Sequence, residues 1–391
     1  MLWKQSAEVL VVGAGPVGMM AALMLAERGI RVEIIDREVG SGRHNYALVL
    51  QRSSLRLLDD AGIAARVLAR GAPIDTLVIH DRRRGQPAVP LGAPKNDFPF
   101  LLALPCWALE DVLEQRLREL KVPIRWSHRF AGLDDAADRV AVTVETLAVE
   151  SGGYPIGGHV FSVDKTKTST FAYVIGADGH NSIVRRRLGI DVEPSGEPQG
   201  YVAMERISAV DLGREIHAVV DETTTDILWP LPGGRCRWTV QIAGDRDPPD
   251  GKRPITEREI AELLAARAPW FAQGTTGAGW TEVLHFEPAV AQRFRHGRAW
   301  LAGDAAHVTG AFGIPGLNDG LQEAHDLASR IARVLRGAAG GDVLDAYNET
   351  LTEVHRRPLP SGPSAALIAC LAGPGADAER LGRDLALALA G

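Results

Sequence analysis

Hydrophobic and polar positions follow two rhythms along this chain, and the change between them predicts its organisation. Val9-Leu10-Val11-Val12 is a short continuous apolar run that ends at glycines, as expected of a parallel strand buried on both faces. From Pro16 to Arg28 the spacing turns helical. Pro16 suits a first turn, Val17, Ala21, Met24 and Leu25 share one face, and Gly29 supplies a left-handed stop. Arg31 to Ile35 follows as a second strand, so the opening segment is a βαβ-type half unit with a right-handed crossover. Leu109 to Leu120 returns to a helical pattern, and Phe171 to Ile175 resumes a buried strand. Late in the chain, Leu317, Leu321, Ala324, Ala328, Ile331 and Leu335 repeat at helical spacing, and Gly337 ends that helix.

A strand rhythm fills the intervals. Asp75 to His80 reads as a strand, and Pro73, Pro87, Pro90, Pro94 and Pro99 surround it with turns that mark an excursion into a second domain. Arg139 to Val149 alternates like an antiparallel ribbon, while Gly152 to Thr170, rich in Gly, Ser, Thr and Lys, reads as a long exposed hairpin tip. Between Val192 and Leu284, strands such as Tyr201 to Ile207 and Arg235 to Ile242 accompany one helix at Glu257 to Ala266. Pro232-Gly233 fits the central pair of a type II turn. The expected division is a discontinuous α/β, Rossmann-like domain from 1–72, 102–190 and 285–360, and a sheet-rich α+β domain from 73–101 and 191–284. An alanine- and leucine-rich packing helix completes it in 361–391, from Ala365.

Composition narrows the partners. A chain of 391 residues is long enough for about two or three domains, of which two is the reading taken here. With 46% apolar and 24% charged residues it has the balance of a globular protein with a sizeable core. The formal charge of -6 comes with no long basic run, so the electrostatic footprint of a nucleic-acid binder is missing, and Arg82-Arg83-Arg84 reads as a solvated turn. Cys106, Cys236 and Cys370 show no CxxC spacing, which argues against a zinc site or a disulfide framework and for a reducing cytoplasm. No signal peptide and no bilayer-spanning run is read, so no membrane partner is expected, and a monomer or homodimer is the expected state.

Candidate chemistry lies in three glycine-centred signatures. In Gly13-x-Gly15-x-x-Gly18, with Pro16 and Val17 opening the helix, the first glycine permits a tight turn, the second lets a diphosphate approach the backbone, and the third lets helix pack on strand. Unpaired N–H groups and the helix dipole favour an anion there. Asp36, 18 residues after Gly18, is placed to accept hydrogen bonds from an adenosine ribose and disfavours a 2′-phosphate. These features alone do not separate NAD from FAD. The second signature is Asp178-Gly179-x-x-Ser182-x-x-Arg185 and the third is Gly303-Asp304-Ala305-Ala306-His307. Backbone N–H groups around Leu317 and Asn318 are expected to form an anion-friendly helix terminus after Gly316. In the sheet-rich domain, Trp229, Trp238, Arg235 and Arg237 flank the proposed hairpin, where one face could line a pocket for an aromatic substrate and sheet packing of the tryptophans is the plainer account. His80, His217 and His285 could act on a phenol proton, whereas His307 reads as a buried structural histidine. No metal site is expected.

In this order and at these intervals the signatures resemble the FAD-dependent aromatic monooxygenases, the class A flavoproteins with the p-hydroxybenzoate hydroxylase fold. The resemblance spans most of residues 7 to 357. It implies a glutathione-reductase-type FAD domain in which Gly303-Asp304 meets the ribityl and pyrophosphate, and Asp178-Gly179 serves both FAD and the approach of NAD(P)H. Arg37, Arg43, Cys106 and Phe130 join the implied cofactor set, and Ala311, Phe312 and Gly313 the implied substrate set. The implied reaction consumes NADPH or NADH and O2 and, through a flavin C4a-hydroperoxide, inserts one oxygen atom into an aromatic or polyketide-like small molecule. The sequence departs from the pattern at Gly310-Ala311, where many relatives have Pro-Pro, at Ile314-Pro315, where they have Gly-Gln, and at Cys106, where they carry Gln or Arg. Those departures keep two alternatives open: an FAD-dependent dehydrogenase, reductase or rearrangement catalyst, and a non-catalytic dinucleotide-binding protein. A halogenase is disfavoured, since no Trp-x-Trp-x-Ile-Pro segment is present.

Overall fold

The computed structural model describes residues 7–41, 49–80, 86–92, 97–136, 138–150, 160–221, 224–242, 255–271, 274–276, 279–308, 314–356, 367, 371 and 379–384. Its helices are α1 (Pro16–Glu27), α2 (Arg52–Asp60), α3 (Ala64–Leu68), α4 (Cys106–Glu119), α5 (Ile183–Arg187), α6 (Glu257–Arg267), α7 (Ile314–Leu335) and α8 (Asp342–His355). One six-stranded sheet draws on distant parts of the chain, in the order Arg295–His296, Ala299–Leu301, Tyr173–Gly176, Val9–Val12, Val32–Ile35 and Ile124–Arg125. Val9–Val12 pairs in parallel with Val32–Ile35 on one side and with Tyr173–Gly176 on the other, and Tyr173–Gly176 pairs in parallel with Ala299–Leu301. Parallel strands buried on both faces need apolar side chains at every position, and Val9, Leu10, Val11, Val174 and Ile175 are fully buried.

Helix α1 differs from the one-faced helix that its spacing predicts. Eight consecutive residues, Gly18 to Leu25, are buried. The helix is enclosed by the sheet, α4 and α7, so it carries apolar side chains all round. Gly18 is what lets it sit so close: a Cβ there would stand 2.0 Å from the Gly13 carbonyl oxygen.

Strands His128–Ala136, Arg139–Glu150 and Val160–Phe171 form a three-stranded antiparallel ribbon. The expected hairpin tip at 152–170 is therefore corrected: Val160–Phe171 is a strand that pairs along its length with Arg139–Glu150, and 151–159 lie outside the described residues. Its Thr, Ser and Lys residues made it look like loop. Most of them are exposed, as an edge strand with solvent on both faces allows, and Thr166, Thr168 and Thr170 are β-branched residues that suit a pleated backbone.

An eight-stranded mixed sheet joins Thr76–His80 and Ala88–Pro90 to strands between Gln199 and Phe286. Alternation divides its side chains. Leu77, Ile79, Tyr201, Ala203, Ile216, Ala218, Ile227 and Trp229 share a core with Val49, Leu101 and Ala103, on the side of the six-stranded sheet. Val202, Met204, Leu228, Cys236, Trp238 and Val240 form a separate core with Ile260 and Leu264 of α6. At the hairpin both Gly233 (φ 73°) and Gly234 (φ 69°) are left-handed, so the expected glycine turn gains a second αL residue. Of the packing helix expected in 361–391, Leu367, Leu371 and 379–384 are described as helical, and Leu367, Leu371 and Leu381 are buried against the first of these two cores.

The fit of α1 on its strand predicts that Gly18→Ala lowers unfolding stability by about 1–3 kcal/mol, the usual cost of overpacking. A urea titration followed by far-UV circular dichroism checks it; an unchanged midpoint would mean that α1 can move away freely.

Candidate active site

The strand Val9–Val12 delivers its backbone to Gly13, whose φ of 108° is open to glycine alone. The same residue answers a second demand, because a Cβ on Gly13 would lie 2.2 Å from the Ala177 carbonyl oxygen. The first and second signatures thus touch. Ala177 N–H donates to the Val12 carbonyl at 2.8 Å. Gly15 is the N-cap of α1, without a side-chain cap, and a Cβ on it would meet nothing within 4 Å. Asp36 braces this loop: Oδ2 accepts from Ala14 N–H at 2.7 Å and Oδ1 from Glu38 N–H at 2.9 Å. An ionised carboxylate has about four acceptor positions, so Asp36 keeps capacity for a ligand hydroxyl. Arg37 is exposed and pairs with Glu38 at 3.2 Å. Arg43 lies outside the described residues.

In the second signature Asp178 serves the backbone. Oδ1 accepts from Ser182 Oγ at 2.5 Å, and Oδ2 from Ile183 and Val184 N–H at 2.7 and 3.1 Å, which closes the entry to α5. Burial raises the pKa of Asp178, and these three donors oppose the rise. Gly179 is left-handed (φ 76°), with open space where a Cβ would stand. Arg185 then fastens the second signature to the third: one guanidinium nitrogen donates to the Ala305 carbonyl at 2.8 Å, another to the His180 carbonyl at 2.9 Å.

Behind the third signature lies a hub that sequence reasoning missed. Glu323 of α7 accepts from Gly303 N–H at 2.9 Å through Oε2, while His307 Nε2 and His355 Nε2 lie 2.6 and 2.8 Å from Oε1. The two imidazoles stack with centroids 3.7 Å apart, and all three side chains are buried. Burial alone would lower the His307 pKa and raise that of Glu323, but their mutual attraction outweighs it in both, so His307 is held up and Glu323 down. His307 is thus the buried histidine expected. Glu323 follows Asn318 on an otherwise apolar inward stripe, and a carboxylate there was the available signal. The same three residues have the donor types of a metal site, yet the close contacts are those of hydrogen bonds. Asp304, one residue after Gly303, is accessible to solvent although protein crowds its carboxylate from behind. That crowding raises its pKa against the pull of His307 and His180.

Helix α7 begins at Ile314, one turn earlier than its spacing predicts. Pro315 has no N–H, and Asn318 lies inside the helix, beyond its first turn. This corrects the expectation that Asn318 is part of the terminus. Its side chain is 1% exposed and works as a strap: Oδ1 accepts from Gln51 N–H and Ser54 Oγ at 2.8 and 2.7 Å, and Nδ2 donates to the Val49 carbonyl at 2.9 Å. Leu317 is buried in the main core. Phe130, also in that core, lines a cavity of about 480 Å³ with Arg129, Glu145, Ile183, Arg186 and Arg187, on the flank between the ribbon and α5.

The sheet-rich part contributes Trp229 and Arg237, cross-strand partners on the face turned to the six-stranded sheet. Arg237 is 2% exposed, stands 5.5 Å over the Trp280 ring, and is neutralised by Glu205, with Nε donating to Oε1 at 3.0 Å. His80, His217 and Trp238 occupy the opposite face, beside Trp270 and Phe271. The two histidines pair with each other at 3.0 Å, and burial with the neighbouring His217 takes His80 down to about 4. His285 is exposed. Ala311, Phe312 and Gly313 lie outside the described residues.

Between the two parts stands Cys106, first residue of α4, whose thiol donates to Glu110 Oε1 at 3.7 Å. Burial first, then the charges of Glu110 and Asp304, push the thiol pKa up against Arg237, so it stays protonated.

A family model described as "FAD binding domain" matches residues 6–359. The chain belongs to this FAD-binding family. Within it, the chain is 30% identical over 369 residues to 6-methylpretetramide 4-monooxygenase of Streptomyces rimosus, covering 93% of this chain and 62% of that protein. It is 26% identical to pentachlorophenol 4-monooxygenase of Sphingobium chlorophenolicum, covering 90% and 63%. The chain therefore spans somewhat under two thirds of the length of these relatives. Among solved structures, p-nitrophenol 4-monooxygenase PnpA of Pseudomonas putida DLL-E4 has the same fold, with a TM-score of 0.76, 23% identity and coverage of 97% and 92%.

The residues present fit FAD. Gly15 leaves open the approach of a diphosphate to the uncapped first turn of α1, Asp36 has acceptor capacity at one end, and Asp304 is accessible at the other. Two outcomes follow. Gly15→Val is expected to keep wild-type thermal stability and lose flavin retention by more than about tenfold, since the new side chain occupies only the cradle; equal flavin content after gel filtration would displace the diphosphate from Gly15. Glu323→Ala strands two buried imidazoles and the Gly303 N–H, and is expected to cost about 3–5 kcal/mol in chemical denaturation. A loss below about 1 kcal/mol, no more than one ordinary hydrogen bond, would show that the hub is dispensable.

Proposed function

We propose that this chain is an FAD-dependent, NAD(P)H-consuming monooxygenase that inserts one oxygen atom of O2 into an aromatic or polyketide-like small molecule. The observation that carries the reading is the convergence of the three glycine loops, with Gly13 against Ala177, Arg185 bonded to the Ala305 carbonyl, and Gly15 open to a diphosphate. In the sheet-rich part, one face offers Trp229, Trp280 and the Arg237–Glu205 pair to a substrate. The names of the relatives, hydroxylases of phenols and of tetracycline-type polyketides, support that substrate class.

The division of labour follows from the geometry. When bound, FAD supplies the redox chemistry and the activation of oxygen. Gly13, Gly15, Pro16, Val17 and Gly18 shape the loop that takes the diphosphate, and Asp36 takes the ribose. By the family resemblance Gly303 and Asp304 would hold the ribityl, and the start of α7 around Gly316 and Leu317 would face the flavin. Asp178 and Gly179 act by holding the second loop against the first, and Asn318 by strapping α7 to α2. Phe130 acts as core. The substrate would lie on the Trp229 and Arg237 face, enclosed so that water is excluded. We assign 1–72, 102–190 and 285–360 to the cofactor domain and 73–101 with 191–284 to the substrate domain. Among the described residues no helix is long and apolar enough to cross a membrane.

The test is turnover of the FAD-loaded protein with NADPH or NADH under labelled oxygen, using a panel of phenols and polycyclic phenolic ketones. The expected result is substrate-stimulated nucleotide oxidation with one labelled oxygen in the product. Oxidised product carrying no label would move the chain to the dehydrogenase or rearrangement class.

A further inference from the structure

Glu110 combines burial with an incomplete set of partners. It lies on the inner face of α4, which packs on α1, and it is 8% exposed. Oε1 accepts the Cys106 thiol, but Oε2 is buried with no hydrogen-bond partner. The charges that reach it are Asp36, from the end of the second strand, and Glu114, one turn further along α4. Neither is a cation. Cys106 in turn is reached by Asp304 and by Arg237, and Arg237 is committed to Glu205. Glu110 is thus within electrostatic reach of Asp36 of the first signature, and its thiol partner Cys106 within that of Asp304 of the third.

An unpaired carboxylate in such a place is costly, and burial, with Asp36 and Glu114, pushes the Glu110 pKa up to about 7. A dinucleotide adds a doubly negative diphosphate at the first signature. The N–H groups of the first turn of α1 receive it, and among the described residues the charges that act on Glu110 are both negative. The neutral carboxyl is the form compatible with both burial and the incoming anion.

We propose that Glu110 is the proton-uptake site of cofactor binding: one proton passes from solvent to its carboxyl as FAD enters, and the complex holds Glu110 neutral. The inference rests on the FAD reading above. Its sign is fixed by linkage. FAD raises an already raised carboxyl pKa, so affinity is full where free Glu110 is protonated and falls as pH rises through and above its pKa, by up to about tenfold per pH unit. The Cys106 S–H given to Oε1 favours the ionised carboxyl and so holds the rise back, against burial and the two neighbouring carboxylates.

The experiment is a fluorescence titration of FAD with wild type and Glu110→Gln between about pH 6 and about pH 9, the span over which such linkage is read. Wild-type affinity is expected to fall by more than about fivefold from low to high pH, while Glu110→Gln, a neutral isostere, stays flatter and binds more tightly than wild type at the alkaline end. A second measurement needs no variant: calorimetry of wild type at about pH 8, in buffers of different ionisation heat, is expected to show about one proton taken up per FAD. Parallel pH profiles for the two proteins, or FAD binding without proton uptake, overturns the proposal and leaves the FAD site standing. No FAD binding by either protein at any pH overturns the FAD reading itself.

Discussion

Everything in the cofactor region depends on a backbone-to-backbone approach that leaves no room for a single methyl group. The strand Tyr173–Gly176 lies between Val9–Val12 and Ala299–Leu301, parallel to both, so all three signatures leave the sheet at the same edge. The price of that convergence is crowding, met by glycine at Gly13 against Ala177, at Gly18 against Gly13, and at Gly303, where a Cβ would press on Val17 at 3.0 Å. Gly15 is the exception that gives the arrangement its use, because its missing side chain faces open space. Sequence spacing puts Gly13, Gly15 and Gly18 in one motif and Gly303 in another, but the division by constraint is different, fold in three cases and open approach in one.

Polar side chains then fix what the sheet has brought together. Arg185 joins the second loop to the third through two carbonyls, and Glu323 holds the third through the Gly303 N–H. Asp36 and Asp178 each accept two backbone N–H groups of their own loops. The site is consequently rich in carboxylates whose first task is to shape backbone. The uncapped N–H groups at the start of α1 are the feature of this loop that suits an anion.

Local rules made much of this legible. Continuous apolar runs marked the strands Val9–Val12 and Tyr173–Gly176, and glycine spacing marked the loops between strand and helix. Failures arose where tertiary context overruled local pattern. Val160–Phe171 resembled a loop because its polar residues face water from an edge strand, and α1 resembled a one-faced helix because periodicity cannot count how many neighbours will enclose it. The hub around Glu323 and the carboxyl of Glu110 join residues remote in sequence or hidden on helices, so neither has a spacing to betray it. His80 and His217 stood out by their chemistry alone, and only the strand register puts them on the face opposite Trp229 and Arg237, since a strand assigns faces by parity.

The hub also sets a limit on how this protein can be taken apart. His355 is the last residue of α8, yet its imidazole shares a carboxylate oxygen with His307 and lies one hydrogen bond from the carboxylate that holds Gly303. A cut anywhere before His355 would remove a wall of the cofactor turn although it lies about fifty residues downstream of it. For domain exchange among members of this family, the modular boundary is therefore beyond the end of α8, and a graft that respects the sheet but splits Glu323 from His355 would carry over the strands without the turn they present.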